Sequence, residues 1–138
     1  MKYHAIVLLL VSGYVHAEVD AHRLCEAVTQ TSKSYTQNFT INQLLQLRSA
    51  YSKTENYNEF IEISQLDSTQ NVAALMQKHK LNRKDAEALY FKTVKPNTIN
   101  SIQVGIDALM AEDQQKFWNE QYKNCVRDVR AHVSEQGN

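Results

Sequence analysis

The chain has 138 residues, no formal net charge, two cysteines, three glycines and one proline. This length is enough for one domain, and glycine and proline lie far below their usual combined share of about 12%. Sandwiches, barrels and propellers need many special turn positions, so this composition argues against them and favours an all-α fold. A neutral chain provides no overall field for nucleic acid, so we expect no nucleic-acid partner.

Residues 1–17 have the pattern of a signal peptide. A lysine precedes an apolar run at 5–11, and Val15 and Ala17 stand at the −3 and −1 positions of a cleavage site. The run is far shorter than the roughly 20 residues of a membrane span. We predict cleavage after Ala17, a periplasmic or secreted location, no stable membrane span and one helical domain over residues 18–138. An uncleaved anchor is the alternative.

Two cysteines, Cys25 and Cys125, lie near the two ends of the predicted mature chain. Disulfides persist outside the cytosol, so we predict that these two residues form one intramolecular bond. The closed loop of about 100 residues would contribute ~4–5 kcal/mol in the chain-entropy model. Two buried thiols and an intermolecular bridge are the alternatives, and the spacing excludes a CxxC redox motif.

Helical periodicity predicts a bundle of six or seven helices, with the first and last joined by the disulfide. The first apolar stripe begins at Ala21 and directs Cys25 toward the core. Thr40 and Gln43 form the capping box of the second helix. The segment 57–66 fits either a helix or a short strand. The next helix starts at Asp67-Ser68.

The second half of the chain carries further start and stop signals. His79 falls on an apolar stripe, which predicts a partly buried imidazole. Asn82 is the expected N-cap of the following helix, and Pro96 is expected to end it. Asn97-Thr98 would then cap the last region. Because a single helix over 98–134 would be ~55 Å long, we expect a break at 111–113 with Asp113 as a new cap.

Gly105 lies inside the helical pattern of this last region. A glycine costs about 1 kcal/mol relative to alanine in a helix interior. We therefore interpret Gly105 as a point where another helix approaches closely, in preference to a functional hinge.

Residues that could support catalysis or bind metal are sparse. His22 lies one helical turn from Glu18 and from Glu26, but the chain has no HExxH motif or paired CxxC, and we predict no metal and no cofactor. Bonded cysteines cannot act as thiolate nucleophiles. Glu59 and Glu62 lie one turn apart, as they also would on a solvated helix face. We predict no catalytic residues and no enzymatic activity.

The distribution of charge is more informative than its sum. Lys80, Arg83 and Lys84 flank the predicted Asn82 cap and would project from a helix–helix corner. Complementary charge speeds and orients the encounter of two proteins, so we take these three residues as candidate partner-binding residues. An ordinary solubilising surface is the alternative. The wider basic cluster comprises Lys78, Lys80, Arg83, Lys84, Lys92 and Lys95.

A signal peptide followed by a small helical domain with one disulfide is a format similar to that of periplasmic immunity proteins, which neutralise toxins delivered by neighbouring bacteria. The similarity lies in architecture, without a shared motif. It implies a non-enzymatic exported protein that binds another protein, as an immunity protein or inhibitor. The alternative is a helical small-ligand carrier or a chaperone-like periplasmic stress protein.

Overall fold

The computed structural model describes residues 20–136 and, among them, the side chains of residues 20–132. This part of the chain contains six helices and no strand, which confirms the all-α prediction. The predicted signal peptide at 1–17 lies outside the described residues. The helices are α1 (Ala21–Asn38), α2 (Ile41–Ser52), α3 (Tyr57–Ser64), α4 (Thr69–His79), α5 (Arg83–Met110) and α6 (Gln114–Gln136).

The long helix α5 is the centre of the fold and contacts each of the other five helices. Its apolar side chains meet those of α2, α3 and α4 in the main core. The largest fully buried members of this core include Tyr90, Phe60, Leu44, Leu75 and Ile102. Three of its aromatic pairs, Phe60–Tyr90, Phe60–Phe91 and Tyr57–Tyr90, meet edge to face.

Helix α5 continues through Pro96, so the prediction that this proline ends a helix is wrong. Proline removes one helical hydrogen bond and costs about 3 kcal/mol in a helix interior. Val94 and Ile102 are both buried in the main core, so the two halves of α5 pack against the same apolar surface and remain one helix. The prediction that Asn97-Thr98 caps a new helix is also wrong. The Asn97 side chain lies inside α5 and donates to the Thr93 carbonyl at 3.0 Å.

Gly105 lies where α1 and α2 both approach α5, as its position in the sequence predicted. A Cβ atom built at Gly105 would lie 3.3 Å from Cβ of Tyr35, 3.5 Å from the carbonyl oxygen of Ser32 and 3.6 Å from Cδ1 of Leu44. A Cβ atom at this position would therefore be tight against Tyr35 of α1 and in ordinary contact with Leu44 of α2.

The predicted disulfide is confirmed: Cys25 of α1 is bonded to Cys125 of α6, with Cα atoms 5.7 Å apart. The bond lies in a second, smaller hydrophobic cluster, here called the clasp cluster, which is separate from the main core. Its buried residues are Ala21, Cys25 and Val126, with Tyr122, Cys125 and Val129 packed against them. The disulfide thus joins α1 and α6 within a small hydrophobic cluster that both helices share.

Most predicted helix starts are confirmed by their hydrogen bonds. Thr40 and Gln43 form the reciprocal capping box, with distances of 3.2 and 2.9 Å. Asn82 accepts from the third amide of α5 at 2.8 Å, and Asp113 accepts from the third amide of α6 at 3.0 Å. The expected break at 111–113 is therefore present. Each of these caps is a local signal that needs no tertiary contact.

The ambiguous segment near residue 60 is helical, as α3, and ends at Gln65 in the left-handed region with φ 52°. The start of the next helix, α4, differs in detail from the expected one. Ser68 is the N-cap of α4 but its hydroxyl does not cap the helix. Asp67 accepts the first amide of α4 instead, at 3.0 Å.

Candidate functional site

The corner between α4 and α5 consists of the three residues 80–82 and is fixed by hydrogen bonds on both sides. Lys80 has a left-handed backbone with φ 53°, and its amide donates to the carbonyl of Met76. The amide of Leu81 donates to the same carbonyl at 3.0 Å, so the last turn of α4 is closed. Together with the Asn82 cap, these bonds hold the corner in one conformation.

The three candidate residues Lys80, Arg83 and Lys84 all lie at this corner and all are exposed. Among the described residues, no carboxylate forms an ion pair with any of them. Lys78 is also exposed, in the last turn of α4. The corner is therefore a group of cationic side chains that point into solvent. We call Lys80, Arg83 and Lys84 the basic corner.

Arg83 and Lys84 occupy the first two positions of α5. The N-terminus of a helix carries a partial positive charge, so a cation there costs stability where an acid would add about 0.3–1 kcal/mol. Asp85 in the same turn offsets one of the two charges. The remaining cation is placed unfavourably for folding. Natural sequences depart from such local preferences chiefly at functional sites.

His79 differs from its prediction, because its side chain is exposed. It is the last residue of α4, and α5 begins on the other side of the corner at Arg83. The neighbouring residues Lys78, Lys80 and Asn82 are exposed as well, so His79 lies at an end of α4 that faces solvent. The imidazole therefore adds a polar group next to the basic corner.

Lys95 belongs to the basic cluster of the sequence but not to the basic corner. Its Nζ donates to the carbonyls of Ser52 at 3.2 Å and Thr54 at 2.6 Å, and lies 5.4 Å from the ring centroid of Phe91. Cations favour the C-terminal carbonyls of a helix, and Lys95 binds these at the end of α2. It lies 12 residues along α5 from Arg83, a distance of about 18 Å. Lys95 therefore stabilises the fold rather than extending the corner.

The histidine considered for metal binding is engaged by other side chains. Arg130 Nη2 donates to Nε2 of His22 at 2.9 Å, and Nδ1 of His22 lies 2.5 Å from Oη of Tyr122. Because an arginine only donates, Nε2 accepts and a neutral ring carries its proton on Nδ1. Within residues 20–132, no group of three or more possible ligands could hold a metal ion.

This His22–Tyr122–Arg130 contact was not predicted from the sequence. The partners lie 100 and 108 residues from His22, so no local pattern could reveal them. The one available signal was the cysteine pairing, since it places α1 beside α6. The contact ties the two helices together at the outer edge of the clasp cluster.

The shifted ionisable groups of the described chain are two tyrosines of the main core, away from the basic corner. Burial raises the pKa of Tyr90 to about 12, and the nearby Tyr57 and Tyr51 hydroxyls add to the shift. Burial also raises the pKa of Tyr51 above its usual value. Both tyrosines are packed among aromatic rings, so their shifts reflect a dry core rather than a proton-transfer site.

No protein family model matches the chain, and no curated protein or solved structure is significantly similar to it. Across residues 20–136, no helix is both long enough and apolar enough to cross a membrane.

Proposed function

We propose that this chain is a small exported, non-enzymatic protein that binds another protein, as an immunity protein or inhibitor, through its basic corner. The observation that carries the proposal is the placement of Arg83 and Lys84. They are exposed cations at a helix N-terminus, and no carboxylate of the described chain pairs with them. An acidic surface on a partner would supply the missing counter-charges.

The rigidity of the corner supports the same function. The capping bonds at Lys80, Leu81 and Asn82 fix the direction in which both helices leave the corner. A preorganised surface loses little conformational entropy on binding, which favours affinity. A convex corner can also enter a cleft, and an inhibitor acts by occupying its partner's cleft. We therefore propose that the partner presents an acidic cleft.

Export is supported by the Cys25–Cys125 disulfide, because such bonds persist in the periplasm and outside the cell. The signal-peptide pattern of residues 1–17 points to the same route. An exported inhibitor would meet proteins delivered from other cells or secreted into the same compartment. The partner is thus expected among periplasmic or extracellular proteins.

The test uses three baits made from the oxidised protein in a periplasmic extract: wild type, the corner variant and a control. The corner variant is Lys80→Glu, Arg83→Glu and Lys84→Glu. The control variant reverses three exposed lysines on other parts of the surface, Lys53, Lys116 and Lys123, and changes the net charge by the same amount. Captured proteins are identified by mass spectrometry. Each is then assayed for loss of its own activity when the purified chain is added.

We expect the wild type and the control to capture one protein that the corner variant does not capture. We also expect the purified wild-type chain to inhibit that protein. Equal capture by all three baits would exclude the basic corner as the contact surface. Capture without inhibition would exclude the inhibitor role. Co-purification of a small apolar molecule, with no protein captured, would favour the carrier alternative instead.

A further inference from the structure

A chain of hydrogen bonds joins three side chains at the outer edge of the clasp cluster: Arg130, His22 and Tyr122. We call these three residues the edge cluster. Nη2 of Arg130 donates to Nε2 of His22, so the proton of the neutral ring lies on Nδ1. Nδ1 then donates to Oη of Tyr122, which lies 2.5 Å away. Donation in the edge cluster therefore runs in one direction, from the guanidinium through the imidazole to the phenol.

This direction leaves donors unused at both ends of the edge cluster. A guanidinium has five N–H donors, and Arg130 uses one of them on His22. Oη of Tyr122 acts as an acceptor here, so its own hydrogen is left to donate. Within residues 20–132, neither Arg130 nor Tyr122 has another hydrogen-bond partner. The edge cluster thus presents N–H and O–H donors toward its surroundings.

The positive charge of the edge cluster has no counter-charge on the described part of the chain. Arg130 is exposed, and no carboxylate of residues 20–132 lies within ion-pair distance of it. Asp128 on the same helix pairs with Arg127, at 3.3 Å. Asp20 accepts the amide of His22 at 3.0 Å and so caps α1. The unused donors therefore suit an anion with several acceptor oxygens.

The geometry of the cluster limits the size and shape of this anion. Nη2 of Arg130 lies 2.9 Å from one ring nitrogen of His22, and Oη of Tyr122 lies 2.5 Å from the other. Because both nitrogens belong to one five-membered ring, the two outer atoms lie within about 8 Å of each other. A single anion whose oxygens each accept a hydrogen bond of about 2.7–2.9 Å spans such a gap.

The number of donors favours phosphate over a carboxylate. With one N–H engaged, the guanidinium of Arg130 still has a complete edge of two parallel N–H groups, which binds two oxygens side by side. The hydroxyl of Tyr122 supplies a third donor. A phosphate group has three acceptor oxygens, whereas a carboxylate has two.

We propose that the edge cluster is a binding site for a phosphate group. The free edge of Arg130 donates to two phosphate oxygens and Oη of Tyr122 donates to a third, while His22 holds both side chains in place. Because the three residues come from α1 and α6, the bound phosphate also ties these two helices together. The site is independent of the basic corner and of the function proposed for it.

The test is a titration of the oxidised protein with inorganic phosphate, followed by nuclear magnetic resonance at constant ionic strength. The pH is held near 8, above the second pKa of a phosphate group at about 6. We expect saturable shifts confined to the start of α1 and the second half of α6. Acetate should bind at least about tenfold more weakly, since it lacks the third oxygen. Absence of saturable shifts at the edge cluster, or acetate binding as tightly as phosphate, would overturn the proposal.

Variants separate a built site from a general attraction of anions to surface charge. Tyr122→Phe, Arg130→Gln and Arg130→Lys should each weaken phosphate binding about tenfold, the last because it keeps the charge but loses the paired N–H groups. Lys123→Gln removes one exposed charge from the same helix and should bind like the wild type. Equal weakening by Lys123→Gln, or unchanged binding by Tyr122→Phe, would contradict the site. Glycerol phosphate identifies the source of the group, since tighter binding than inorganic phosphate indicates a phosphate ester and weaker binding indicates the free ion.

Discussion

Removing the disulfide should destabilise the protein severely, and should do so first at the clasp cluster. The bond joins residues separated by 100 positions. For a loop of that length the chain-entropy model gives about 4.7 kcal/mol at 25 °C. A typical domain has only about 5–15 kcal/mol in total. The double variant Cys25→Ala, Cys125→Ala should therefore lose about 3–4 kcal/mol of unfolding free energy, since measured values often fall below the model.

The part of the protein that loses stability first can be inferred from the sizes of the two hydrophobic clusters. The clasp cluster has only Ala21, Cys25 and Val126 as buried members, whereas the main core contains large side chains such as Tyr90 and Phe60. A small cluster offers little apolar area to hold α1 against α6 once the covalent link is gone. The two helices should separate near the cysteines before α3, α4 and α5 unfold.

Two measurements check this prediction. Urea unfolding of the oxidised wild type and the double variant gives the free-energy difference. Hydrogen exchange read by mass spectrometry shows where protection is lost, which we expect at 21–28 and 122–132 while α5 remains protected. Adding a reductant should lower the unfolding free energy of the wild type and leave that of the double variant unchanged. A free-energy difference under about 1 kcal/mol, or equal loss of protection in all helices, would refute the reasoning.

Three further predictions concern α5 and the core. Gly105→Ala should change the unfolding free energy by less than about 1 kcal/mol, because better helix propensity offsets the tight contact with Tyr35, whereas Gly105→Val should cost about 1–3 kcal/mol in the same urea assay. Pro96→Ala should stabilise the protein by about 1–2 kcal/mol, since it restores a helical amide, and a lower melting temperature would contradict the continuous helix. The contribution of Tyr90 to stability should be constant below about pH 10 and fall between pH 10 and about 12, because the unfolded chain releases the Tyr90 proton first. Tyr90→Phe should reduce that alkaline loss, and an unchanged profile would contradict a raised pKa at this residue.

The elements of the fold that could be predicted are those set by neighbouring residues. The caps at Thr40, Asn82 and Asp113 each involve a side chain and an amide three positions away. Such signals are fully contained in the sequence. The disulfide was predictable for a different reason, since two cysteines allow one intramolecular pairing. Gly105 was predictable because glycine inside a helix lacks a local explanation.

The errors arose where packing overrides local preference. Pro96 is a reliable stop signal only when nothing holds the helix beyond it, and here Val94 and Ile102 bury both sides in one core. His79 fell on an apolar stripe, but a stripe predicts burial only as far as a neighbouring helix extends. Both outcomes depend on where α5 lies, which no local pattern contains.

In the candidate site, too, the features set by neighbouring residues were predictable and those set by distant contacts were not. Lys80, Arg83 and Lys84 come together at a corner because they are close in sequence, so their grouping was predictable. Lys95 was grouped with them by composition, but its partners at the end of α2 lie 41 and 43 residues away. Distant partners of this kind decide which charges serve folding and which remain free for binding.

The most direct test of the proposed function is the salt dependence of association with the captured partner. Association rates of the wild type, the corner variant and the control variant would be measured by stopped-flow from low to physiological ionic strength. We expect the wild type and the control to associate fast at low salt and to slow as salt is added. The corner variant should be at least about tenfold slower at low salt and should associate faster as salt is added, because its reversed charges repel the acidic partner and salt screens that repulsion. Equal rates and equal salt dependence for all three proteins would contradict binding through the basic corner.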